Sequence, residues 1–163
     1  MDAETLDGMT LDALDRTFEQ LVALLHVTHS HILSVVTAIE DRQMPVADGA
    51  QSLGSWISAH AGLHRSTGER WAVASSKLKE LPCVASAFES GALSFDQLSE
   101  VVRLATPETD AQWAEDAPPR SAASLRAMAR DAERVTRQKA NLPSTSVTSA
   151  SPLYFWPLKT AKV

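Results

Sequence analysis

A chain of 163 residues, 44% of them apolar, is long enough to build one domain with a real core, and its formal charge of −5 excludes a uniformly basic nucleic-acid binder. Aromatic residues make up only 6%, so Ala and Leu carry much of the apolar count and helices packed through small residues are favoured over a sheet. One cysteine, Cys83, allows no internal disulfide and no Cys-x-x-Cys metal clip, which points to a reducing cytoplasm.

The acidic N-terminus, MDAETLDGMTLD, lacks the basic-then-apolar order of a signal peptide. A first helix is expected from Thr10 or Leu11 to about Glu40. Its apolar residues Leu14, Phe18, Leu21, Leu25, Ile32, Val35, Val36 and Ile39 recur at three- and four-residue steps. The most apolar window, LVALLHVTHSHILSVVTAI, holds three His and several hydroxyls, which reads as a core helix and not a membrane span. MPVADGA then interrupts, with Pro45 and Gly49 as punctuation.

A second helix is predicted over Leu53 to Ala61, closed by Gly62. Ser66-x-x-Glu69 is a capping-box pattern and opens a third, with Trp71, Val73, Ala74, Leu78 and Leu81 as core candidates. Pro82 suits the first turn of a short fourth helix that turns Val84, Ala87 and Phe88 inward and stops at Gly91. Cys83 has no basic neighbour nearer than Lys79 and reads as a buried structural thiol. Ser94-x-x-Gln97 is a second capping box, followed by Leu98, Val101, Val102 and Leu104. Thr106-Pro107-Glu108 reads as N-cap, N1 and first-turn acid of the next helix, with Trp113 on its apolar side. Pro118-Pro119 breaks the chain, and Ser121 or Ser124 starts a last helix to about Lys139.

The expected fold is all-α: a multi-helix domain over residues 1–140, with about seven helices joined by short turns. Residues 141–163 read as a tail. Its first part, PSTSVTSASP, has the composition of a disordered segment, and LYFWPLKTAKV, which opens with large apolar residues, ends it. Charge divides in the same region. Ten basic residues face twenty acidic ones through Glu133, whereas five basic and no acidic residues follow.

Several of these features occur together in a known family. Trp56, Ala61-Gly62-Leu63, Leu78-x-x-Leu81-Pro82, Ala87-Phe88-x-x-Gly91-x-Leu93-Ser94 and Gln97 resemble the domain of unknown function 222 of the bacterial 13E12 repeat family. Ser121 to Arg130, anchored by Leu125, resembles that domain's closing helix. The likeness covers about residues 50–135. It implies a helical region that commonly precedes an HNH endonuclease domain with a His pair, an Asn and zinc-binding cysteines. This chain departs there: Asn141 is its only Asn, no His follows His64 and no second Cys exists. The resemblance therefore carries over no catalytic or metal-binding residue and implies a truncated, non-enzymatic member without a cofactor.

Two basic groups are candidate nucleic-acid contacts. Arg126, Arg130, Arg134 and Arg137 form a stripe on one face of the last helix, while Leu125, Met128, Ala132 and Val135 occupy another. A solvated face beside Asp131 and Glu133 is the alternative. The second and third helices around Gly62 could form a helix-turn-helix presenting Arg65, Arg70, Lys77 and Lys79 to DNA, or an ordinary helical hairpin. His26, His29 and His31 do not share one helix face and read as core or surface histidines. Two functions remain open. One is a DNA-associated, non-catalytic accessory domain. The alternative is a protein-interaction or homo-oligomerisation module using the first helix or the tail, or a non-functional truncated remnant.

Overall fold

Thr10 starts the longest helix. Its Oγ1 accepts from the Ala13 N–H at 3.3 Å, and Asp12 lies in the first turn. From there α1 runs Leu11–Asp41. The computed structural model describes residues 6–140, and the expectations placed on residues 141–163 lie outside them. After α1 come α2 (Met44–Ala47), α3 (Leu53–Ala61), α4 (Arg65–Leu78), α5 (Pro82–Glu89), α6 (Phe95–Leu104), α7 (Asp110–Asp116) and α8 (Ala122–Ala140). The domain is all-α, with no strand among the described residues. The one-turn α2 occupies the stretch expected only as punctuation, with Pro45 in its first turn.

The core centres on α5 and α6. Leu81, Val84, Phe88, Leu93, Leu98 and Val101 lose nearly all solvent exposure, and Leu125 of α8 joins them as the expected anchor. Leu33 of α1 and Ala74 of α4 close the cluster from the other side. The Ser94 capping box forms as predicted: Gln97 N–H donates to Ser94 Oγ (3.2 Å), and Ser94 N–H donates to Gln97 Oε1 (2.9 Å). Gln97 Nε2 also donates to the carbonyls of Pro118 and Arg120, so one side chain fixes the start of α6 to the turn before α8.

The stretch from Pro82 to Gly91 is punctuation as expected, but its start is secured from elsewhere. Leu81, at the N-cap of α5, offers no side-chain cap. The carboxylate of Asp110, the first residue of α7, accepts from the N–H groups of Cys83 (2.7 Å) and Val84 (2.9 Å). Asp110 itself is buried. Burial acts to raise its pKa, but the two backbone donors and the Cys83 thiol outweigh that and hold the carboxyl below the ordinary Asp range. At the other end, Gly91 takes φ 79°, a left-handed conformation that closes α5.

Five local expectations are corrected. The Ser66–Glu69 box does not form: His64 is the N-cap of α4, its Nδ1 accepting from the Ser66 N–H (3.3 Å), and Glu69 pairs with Arg65. Thr106 does not cap α7; it opens a turn stapled by Thr109 Oγ1, and the helix begins at Asp110. Val73 faces solvent while Ala74 and Ser75 point inward. Cys83 is exposed and not buried. The fifth concerns α1, which is a core helix only in its second half. Ser30, Leu33 and Val36 are buried, whereas Leu11, Phe18, Leu21, Leu25 and Val35 are 51–83% exposed.

Candidate functional site

Six of the eight candidate DNA-contacting cations already hold a carboxylate. Arg65 Nε sits 2.7 Å from Glu69 one turn on, and Lys77 Nζ 2.9 Å from Glu80. Lys79 Nζ bridges Glu40 (2.9 Å) and Asp41 (2.8 Å) at the end of α1. Arg70 turns toward α6, although its side chain stays 40% exposed. Its Nη2 donates to Asp96 (2.7 Å) and Ser99 Oγ (3.1 Å), and its guanidinium lies 5.2 Å from the Phe95 ring centroid. The structure therefore joins Arg70 to α6 and does not group it with Arg65, Lys77 and Lys79.

The α3–α4 pair is built for close packing. A Cβ at Gly68 would lie 2.2 Å from Ser58 Oγ and 2.4 Å from the Gly54 carbonyl oxygen. One at Gly54 would lie 2.9 Å from Glu69 Cα. The two helices touch nearly backbone to backbone, which explains the small residues at these positions.

Arg126 heads the α8 stripe but serves the interior. Its Nε donates to Glu100 Oε1 at 2.9 Å, and Glu100 is only 4% exposed. Arg103 holds the other Glu100 oxygen and also Glu133 (2.7 Å). Glu100 therefore sits between two guanidinium groups and links α6 to α8. Glu133, pulled below its ordinary range chiefly by Arg103, lies among Arg130, Arg134 and Arg137. Arg134 pairs with Asp131 at 3.0 Å. Among the described residues Arg130 and Arg137 alone of the eight have no ion pair. From Asp131 to Gln138 every residue of α8 is exposed, Ala132 and Val135 included.

The larger unexpected feature is the open face of α1. Starting at Leu11, the positions 14, 18, 21, 25, 28, 32, 35 and 39 follow in strict alternation of three and four, and all but Thr28 are apolar. That is a coiled-coil repeat over four heptads, and it runs along the flank of α1 beside the stripe of Ser30, Leu33 and Val36 that enters the core. Its second half forms one wall of an apolar groove of about 380 Å³. Trp56 and His60 of α3 form the other wall. The Trp56 indole is set by Nε1–H donating to Asp48 (2.7 Å), and His60 stacks on it at 3.9 Å between centroids. The alternation was present in the sequence, but it does not reveal which side the domain covers.

His29 sits between Trp71 and Phe95, and its buried Nδ1 makes no hydrogen bond. Burial, then the charge of His26, lowers its pKa, against a smaller opposing effect of Asp96. His31 lies on the groove side, exposed. Among the described residues no three His, Cys, Asp or Glu side chains gather as metal ligands would.

No family model, curated protein or solved structure matches the chain. The likeness to the 13E12 helical region thus rests on the residues that suggested it, and the chemistry of the two surfaces has to carry the functional reading.

Proposed function

We propose that this chain is a non-catalytic helical association module whose working surface is the heptad seam of α1 and the groove beside it. One observation carries the reading. Leu11, Phe18, Leu21, Leu25 and Val35 stand 51–83% exposed in a repeat that pairs helices. Singly exposed apolar residues need no explanation, but a continuous stripe on one helix does. By length and composition α1 could also cross a membrane. Its second half, however, is taken into the domain through Ser30, Leu33 and Val36, and its first turns carry Asp12, Asp15, Arg16 and Glu19.

The reading of a nucleic-acid-associated accessory domain, as in proteins with an HNH endonuclease, remains second. The observation favouring it is the distal end of α8, where Arg130 and Arg137 are exposed and make no ion pair among the described residues. Two such cations release few counterions on a duplex. A photo-crosslinking residue placed at Leu21 or at Arg130 in the producing cell separates the readings. Discrete protein adducts at Leu21, with none at Arg130, are expected. Nucleic-acid adducts at Arg130 with a silent Leu21 would overturn the proposal.

A further inference from the structure

Resting on the seam reading above, we infer that the helix received by the seam is α1 of a second copy of this chain, bound antiparallel. The first half of each α1 lies in the partner's groove between α1 and α3.

Three features select this occupant. The first is self-complementarity. The seam has an exposed half, from Leu11 to Leu25, and a half that walls the groove, from Thr28 to Ile39. Antiparallel pairing sets Leu11 opposite Val35, Phe18 opposite Thr28, and Leu21 opposite Leu25. Each projecting half then finds a seated half, and the large Phe18 meets the small Thr28. A two-fold contact of this kind closes on itself and leaves no seam free for further growth.

The second is charge. The first turns of α1 carry Asp12, Asp15 and Glu19 against Arg16 alone. Parallel pairing would set these acids side by side. Antiparallel pairing moves them to the stretch carrying His31 and His60. At the far end of the groove Lys79 offsets one of the two charges of Glu40 and Asp41, and Asp48 is engaged by the Trp56 N–H, which lessens the repulsion an acidic helix meets there.

The third is area. A helix of 31 residues is about 46 Å long and about 10 Å across. Two such strips together cover about 900 Å². That is close to the roughly 1,000 Å² that marks a specific interface, before the α3 wall of the groove is counted.

The test uses the full chain. Sedimentation over a concentration series is expected to show a dimer, and Phe18→Lys with Leu25→Lys is expected to weaken it by on the order of 100-fold. Both residues are exposed, so the substitutions leave the domain folded, which circular dichroism checks. Orientation is read in a Cys83→Ser background with a short bismaleimide. Leu24→Cys lies near the two-fold axis and should cross-link to itself. Leu11→Cys should not, because the antiparallel copies hold it about 36 Å from its mate.

A strong Leu11→Cys cross-link would mean a parallel pair and overturn the inference. So would a chain that stays monomeric. A monomer that dimerises only when stopped at Ala140 would identify residues 141–163 as the cover of the seam. A monomer that floats with phosphatidylglycerol vesicles would identify a lipid surface. Seam adducts in cells with a monomeric purified chain would keep the association reading and remove the second copy. A dimer indifferent to both lysines would remove both.

Discussion

Replacing Asp110 by Ala should unfold the domain more readily than any other single change at a helix start. The carboxylate accepts from two N–H groups, at 2.7 Å from Cys83 and 2.9 Å from Val84. Val84 is fully buried, so its N–H would have no water to turn to, whereas exposed Cys83 could recover part of its loss. A hydrogen bond to a charged group contributes about 1.5–3 kcal/mol, and an orphaned buried donor costs about 1–3 kcal/mol. One full loss and one partial loss give about 2–4 kcal/mol, above the ~1 kcal/mol of an ordinary cap. Urea unfolding at neutral pH, followed by circular dichroism, measures this directly. The midpoint should fall at unchanged slope, and Asp110→Asn, which keeps an acceptor, should lose less. A loss below about 0.5 kcal/mol for the Ala variant would refute the borrowed cap. The pH dependence gives an independent check. Because the folded carboxyl titrates below its unfolded value, its stabilisation is complete above the ordinary Asp range. It disappears as pH falls from about 4 through the lower folded value, and so should the gap between parent and Asp110→Asn.

Gly68→Ala gains about 1 kcal/mol of helix propensity, but its Cβ meets the Gly54 carbonyl, which cannot turn aside. A net loss of about 1–3 kcal/mol is expected in the same assay, and Ser58→Ala should not restore it. Arg126→Ala should cost about 1–2 kcal/mol by leaving buried Glu100 with Arg103 alone, while Arg130→Ala should unfold like the parent. Weakened DNA binding by an Arg126 variant would therefore need a stability control. Cys83 is exposed, yet its thiol is held above the ordinary range first by its hydrogen bond to Asp110 and then by desolvation. It should react slowly with a thiol reagent at neutral pH and faster in Asp110→Asn, read as the rate under folded conditions.

What could be read from the sequence was whatever a few neighbouring residues decide. Gly62 and Gly91 end helices, Pro82 starts one, and Ser94 and Gln97 cap another because each acts within a turn of itself. Expectations failed where a partner lay far along the chain. Arg70 looks free in sequence, but Asp96 waits 26 residues on. Arg126 reads as a phosphate contact until Glu100 arrives from the opposing helix. The failed Ser66 box shows local competition too: His64, two residues earlier, offers a ring nitrogen to the Ser66 N–H. For α1 the period was legible but not its phase against the domain. Two adjacent stripes are both apolar, and only packing decides that Leu33 goes inward and Ile32 toward the groove.

The cap that Asp110 lends to α5 has a bearing on biosynthesis. While the chain is being made, α5 leaves the ribosome with its first N–H groups unmet, and they stay so until 26 further residues have been added. Until then α5 has no lasting anchor, so the domain should mature late and all at once. Splitting the chain between α5 and α7 should give two halves that fold only when mixed.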